Sequence, residues 1–195
     1  MQVGIICSTD TSPTSWILLA YRGLHTGQDV RLFGSRITFN MSRITQKLES
    51  LGITLPEAPK PVASYIPAKL VGNLLFISGQ VPFQDGELIC TGSVPSACSP
   101  EKAAKAARIC AINALAAAHQ ALEGDLDRVH GVVRLGVFVA SEPEFTGQPA
   151  VANGASELMT ELFGEAGQHV RAAVGSIALP LGASVEVEMI LQLKS

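Results

Sequence analysis

The chain has 195 residues and a formal net charge of −3, with 47% apolar but only 5% aromatic residues. That length supports one core-forming domain without metal or disulfide staples, and the acidic balance with scattered Lys and Arg excludes a basic field for tracking a phosphate backbone, so no nucleic acid partner is expected. The mean hydropathy of +0.31, combined with low charge, points to surface hidden in an oligomer; the apolar run Trp16 to Tyr21 falls far short of the roughly 20 residues that cross a bilayer, so no membrane partner is expected either.

Residues 1–40 show no sustained helical or strand period, because Ser, Thr and Gly interrupt every apolar run. The segment reads as disordered or as a non-native extension. An organelle transit peptide is the alternative, since Arg22, Arg31 and Arg36 stand against only two acids. Met41 is followed by Ser42, a good N-cap, and by Ile44, Leu48 and Leu51 at helical spacing with Gly52 to stop the helix. A start at Met41 fits this pattern, and 41–195 reads as a single domain.

The run Pro56-Glu-Ala-Pro59-Lys-Pro61 forces an extended linker. Extended segments around Ala63 to Ala68 and Leu74 to Ser78 flank Gly72-Asn73, which predicts a hairpin. A turn-rich edge through Gly79-Gln80-Val81-Pro82 and Asp85-Gly86 leads to a short segment from Glu87 to Cys90. Ser99-Pro100-Glu101 supplies an N-cap, a proline at the first helical position and an acid in the first turn, so a long helix is predicted to Leu122, with Ile109, Ile112, Ala116 and Leu122 on its inner stripe. A strand is predicted over Val132 to Val139. A second helix follows from about Pro149 to Phe163, with Val151, Leu158, Met159 and Leu162 inward, and two last strands, Val170 to Ala178 and Ser184 to Leu193, flank Leu179-Pro180-Leu-Gly182.

This order favours an α+β fold: a mixed sheet with both long helices on one face. The other face needs cover, most economically from copies of the same sheet. Cys7, Cys90, Cys98 and Cys110 form no C-x-x-C pair and have no His at ligand spacing, so reduced thiols, a cytoplasmic setting and no structural zinc are expected. The glycines have no dinucleotide or P-loop spacing, and Ser78-Gly79-Gln80 is not a hydrolase elbow.

The terminal run sets one guanidinium, Arg171, and two carboxylates, Glu186 and Glu188, into otherwise apolar strands. Arginine cannot shed its charge and needs an anion or carbonyls to meet its donors. Glu186 and Glu188 alternate with Val185, Val187 and Met189, so both acids share one face about 7 Å apart. The bland alternatives are an ion pair between Arg171 and either acid, a solvated Glu186, Tyr65 as a chain anchor, and His169 as a hydrogen-bonded neighbour of Arg171.

Asn73-Leu-Leu-Phe-Ile-Ser78-Gly79-Gln80-Val-Pro82, Asn153-Gly-Ala-Ser156, Phe163-Gly164, Arg171, Leu179-Pro180 and Val185-Glu186-Val-Glu188 together resemble the YjgF-type reactive imine deaminase (Rid) family over about residues 42 to 194. The pattern G-x-H-x-R-x-A-V-G is similar to its longer branch. The resemblance implies a chorismate-mutase-like fold and a homotrimer whose sheets form an inner barrel, with clefts between neighbouring subunits. It also implies hydrolysis of small 2-imino or enamine acids to 2-keto acids and ammonia, without metal or organic cofactor. By position, Arg171 becomes the carboxylate clamp and Glu186 the acid near the water. Ser78 and Gly79 become the cleft wall, Tyr65 a ring beside the substrate, and Asn153 a polar contact. Ala173 departs from the core pattern, which often has Cys there; this excludes thiol chemistry at that position and leaves more room in the cleft. The rival readings are a non-catalytic trimer that binds small carboxylates and an endoribonuclease, the latter opposed by the acidic balance.

Overall fold

The computed structural model describes residues 42–58 and 65–194, together with the backbone of two short strands, β1 (Asp29–Leu32) and β2 (Ser35–Thr38), which pair antiparallel. The contact pattern divides the chain between Met41 and Ser42. Beyond that strand pair, the reading of residues 1–40 and the start at Met41 fall outside the described residues, as does the end of the proline linker. Among the described residues no helix is long and apolar enough to cross a membrane.

The second unit opens with α1 (Arg43–Ser50), where the Ser42 hydroxyl accepts from the Thr45 amide at 3.1 Å. The Asp127 carboxylate adds a remote cap, accepting from the amides of Arg43 at 2.7 Å and Ile44 at 3.0 Å. These bonds satisfy donors that the first helical turn leaves without partners, and they set Ile44 and Leu48 into the core.

Five strands form the main sheet: β3 (Ala68–Val71), β4 (Leu74–Gln80), β7 (Val129–Ala140), β8 (Val170–Ser176) and β9 (Val185–Leu193), in the order β3-β4-β9-β7-β8. Only β7 and β8 run parallel, so the sheet is mixed as expected. The predicted hairpin is β3–β4 about Gly72-Asn73, although its first strand begins at Ala68, later than the sequence indicates. A small outlying hairpin joins β5 (Phe83–Gln84) to β6 (Glu87–Leu88) across Asp85-Gly86. The last two strands are consecutive in sequence yet separated in the sheet by β7.

Two long helices, α2 (Pro100–Ala121) and α3 (Gln148–Phe163), pack against each other and against the sheet. Leu75, Ile77, Leu135, Val137, Val187, Met189 and Leu191 point towards them and are buried. Ser99 caps α2 as predicted, accepting from the Lys102 amide at 3.3 Å, and Val151, Leu158, Met159 and Leu162 of α3 are all buried.

The α2 stripe differs from its prediction: Ala116 and Leu122 are buried, but Ile109 and Ile112 lie half-buried on the flank. Alanines 103, 106, 107, 111, 114, 117 and 118 take most of the inner positions, with Cys110, Asn113 and Leu115 among them, because a helix pressed against both a sheet and a second helix has room for small side chains over much of its contact face. The cysteine reading also requires correction. Cys90 and Cys98 form a disulfide with Cα atoms 6.3 Å apart, a separation that disulfide geometry accommodates. The intervening loop folds back through bonds from the Ala97 and Cys98 amides to the Ser93 carbonyl, a closure that residue spacing does not reveal. A reducing compartment therefore finds no support in this pair. Cys110 remains a buried thiol.

Candidate active site

Arg171 lies on the edge strand β8 opposite Leu135, and so on the side of the sheet that the helices cover. Being at the edge, it is exposed and reaches across to α3. Its Nη1 donates to Asn153 Oδ1 at 2.9 Å and to Ser156 Oγ at 3.1 Å. Asn153 and Ser156 are three apart, hence on one helix face. Between them Gly154 lets α3 approach α2 closely, since a Cβ there would lie 1.9 Å from the Ala104 carbonyl oxygen. With Nη1 using both its hydrogens, the Nε and Nη2 edge of the guanidinium has no partner among the described residues. That edge is a planar fork matched to a carboxylate.

His169 joins the same cluster, its Nε2 3.0 Å from Ser156 Oγ and its Nδ1 2.6 Å from the Gly167 carbonyl oxygen. Glu157, Thr160 and Gln168 also line the open depression around Arg171. Ala173 points to the same side, paired with Val137 and packed partly against the core.

Glu186 and Glu188 project from the opposite, helix-free face, in register with Phe138 and Gly136. Burial raises the Glu186 carboxyl above its ordinary range, and the neighbouring Glu188 charge adds to the effect. Its carboxylate lies against Gly79, where a Cβ would stand 1.8 Å from Oε1. Glu188 forms a salt bridge with Arg134 at 2.5 Å. Among the described residues Arg171 forms no ion pair, so the bland pairing with Glu186 or Glu188 does not occur within the chain.

Gly79 belongs to a bulge. Ile77 pairs with Met189 but Gln80 pairs with Val187, so β4 carries one residue more than β9 across Ser78-Gly79. The bulge is tied on both sides. The Ser78 amide and hydroxyl both donate to the Pro67 carbonyl, at 3.0 and 3.2 Å, and Gln80 Nε2 donates to the Ser78 carbonyl at 3.2 Å. Asn113 Nδ2 of α2 then donates to the carbonyls of Val81 at 2.9 Å and Phe83 at 3.0 Å. Sequence reasoning missed Asn113; its signal was a lone amide on the inner side of an alanine-rich helix. Tyr65 is 47% exposed, two residues before Pro67.

The seven residues singled out from sequence thus divide. Ser78, Gly79 and Glu186 gather on β4 and β9, with Tyr65 on the segment tied to Ser78. Arg171, Asn153 and Ala173 gather on β8 and α3. Glu186 and Arg171 stand on opposite faces with β7 between their strands, about 10 Å across the sheet, so one chain does not bring them together. Among the described residues no three His, Cys, Asp or Glu side chains converge as metal ligands.

The profile of the family described as "YjgF/chorismate_mutase-like, putative endoribonuclease" matches residues 45–193. The chain belongs to this family. Protein TCP17 of Trypanosoma cruzi is 44% identical over 154 residues, which cover 78% of this chain and 96% of that protein. The crystal structure of Atu1372 from Agrobacterium tumefaciens, a protein of unknown function, has 45% identity and a TM-score of 0.73, covering 78% of this chain and 93% of that one. A Shewanella oneidensis family member that carries the same endoribonuclease designation has 30% identity and a TM-score of 0.75, covering 79% of this chain and 100% of that one. The matched residues coincide with the second unit, so the family fold is the unit that carries both residue clusters.

Proposed function

We propose that the protein is a hydrolytic deaminase of small 2-imino or enamine acids, acting in clefts between the protomers of a homotrimer and needing no cofactor. The carrying observation is Arg171: Asn153 and Ser156 occupy Nη1 and leave the fork of Nε and Nη2 to a ligand. A planar carboxylate pairs with that fork through two charge-assisted bonds and is fixed in orientation. The division of the residues between two faces supports a shared site, in which β8 and α3 of one protomer meet the bulge and Glu186 of the next.

In that cleft Glu186, whose burial favours the protonated form, supplies the proton that makes the imine electrophilic. An enamine first takes a proton at carbon and releases one from its nitrogen, which makes it the imine. Water then adds to the C=N carbon and loses a proton to the carboxylate. The resulting carbinolamine expels ammonia and leaves the keto acid. Ala173 contributes space and no nucleophile.

A feeder enzyme that generates 2-aminoacrylate or 2-iminobutanoate provides the test. The protein should accelerate keto acid release, Arg171→Ala should fall to the spontaneous rate, and Arg171→Lys should lose about 100-fold, since an ammonium keeps the charge without the planar fork. A spontaneous rate with wild-type protein would leave a carboxylate-binding module instead. RNA cleavage that survives purification and responds to Glu186→Ala would favour the endoribonuclease designation that the Shewanella oneidensis relative carries.

A further inference from the structure

We propose that Ser156 and His169 are positioning residues, which hold the Arg171 guanidinium through a directed hydrogen-bond relay; the proposal rests on the reading of Arg171 as a carboxylate clamp. The direction of the relay follows from donor chemistry. A backbone carbonyl only accepts, so the bond from His169 to the Gly167 oxygen, at 2.6 Å, places the imidazole proton on Nδ1. A ring protonated there alone offers a lone pair at Nε2. Arg171 Nη1 only donates, so Ser156 Oγ accepts from it at 3.1 Å and directs its own hydrogen to His169 Nε2, at 3.0 Å. Every link has one donor and one acceptor, and no other assignment with a neutral ring satisfies all three bonds.

The relay acts on the guanidinium and leaves its ligand edge untouched. Asn153 alone fixes one hydrogen of Nη1 and permits the group to swing; Ser156 fixes the second and with it the plane of the fork. An exposed arginine on an edge strand otherwise loses rotamer freedom when it binds, so a preset plane strengthens ligand binding. His169 contributes by holding the Ser156 hydroxyl in the rotamer that accepts from Arg171. Gly167 is buried against α3, with a Cβ there 2.2 Å from the Met159 carbonyl oxygen, so the far end of the relay is anchored to the helix that carries Ser156.

Nitrogen-15 NMR of the full chain tests the relay without reference to activity. His169 should show the Nδ1-protonated neutral form, and the Arg171 guanidinium should rotate slowly about its Nε–Cζ bond. Ser156→Ala and His169→Leu should each release that rotation, while Ser156→Thr and His169→Gln, which keep a hydroxyl and an acceptor, should retain it. With 2-iminobutanoate, Ser156→Ala should raise KM about tenfold with kcat changed less than about threefold. The double variant should be no worse than Ser156→Ala alone, because His169 acts through Ser156. An Nε2-protonated ring, an Arg171 as mobile in the wild type as in Ser156→Ala, or additive losses in the double variant would overturn the relay. If Arg171→Ala releases keto acid as fast as wild type, the deaminase reading fails, and the two NMR measurements still decide the relay.

Discussion

At Glu186 the fold works against a charge. Burial and then Glu188 raise its carboxyl above the ordinary 4.5, so the folded protein holds this proton more tightly than the unfolded chain does. The associated stability is present in full below the ordinary value and is lost as pH rises through the elevated one. Glu186→Gln should therefore match wild type in urea melts at low pH and exceed it at neutral pH, while losing about 100-fold or more in keto acid release. More stability with less activity in one variant would mark an acid kept for chemistry. Arg171 and Glu186 were legible in the sequence because a charge on an apolar strand is conspicuous. Ser156 and Asn113 were not, because the first serves another side chain and the second serves distant carbonyls; neither partner leaves a trace in local spacing.

Among the elements, α3 connects packing to the site. Gly154 brings it against Ala104 of α2, and the same turn carries Asn153 and Ser156 towards Arg171. Gly154→Ala gains helix propensity, about 1 kcal/mol in an open helix, but its new Cβ meets a backbone carbonyl that can move only with the whole helix. A net loss of about 1–3 kcal/mol is expected from urea unfolding, together with weaker substrate binding as the two polar groups shift. Helix ends were readable from Ser42, Ser99 and Gly164, where cap chemistry is local. The inner stripe of α2 was not, since whether isoleucine or alanine faces inward depends on how closely a second helix approaches. The bulge at Ser78-Gly79 is likewise a product of pairing between remote strands, and the Cys90–Cys98 disulfide depends on how its short loop folds back; neither shows in a strand or spacing pattern.

At the scale of the whole molecule, the proposed trimer draws on the helix-free face. Phe76, 40% exposed, sits there opposite Ile190, and Val170 and Val174 of β8 stand on the same side. An apolar sheet face with two carboxylates calls for a partner surface. Sedimentation of the wild type should give a trimer, and Phe76→Asp should give a monomer with unchanged circular dichroism and no deaminase activity. A wild-type monomer that is fully active would remove the shared cleft.

The opposed placement of Arg171 and Glu186 carries a genetic consequence. If each cleft borrows its clamp from one protomer and its acid from the next, two dead variants can repair one another. Co-expressed Arg171→Ala and Glu186→Gln chains should form hybrids in which about a quarter of the clefts receive an intact residue from each side, given random mixing in a cyclic trimer. Activity should return to roughly that fraction of wild type, and a silent mixture would mean that each chain works alone.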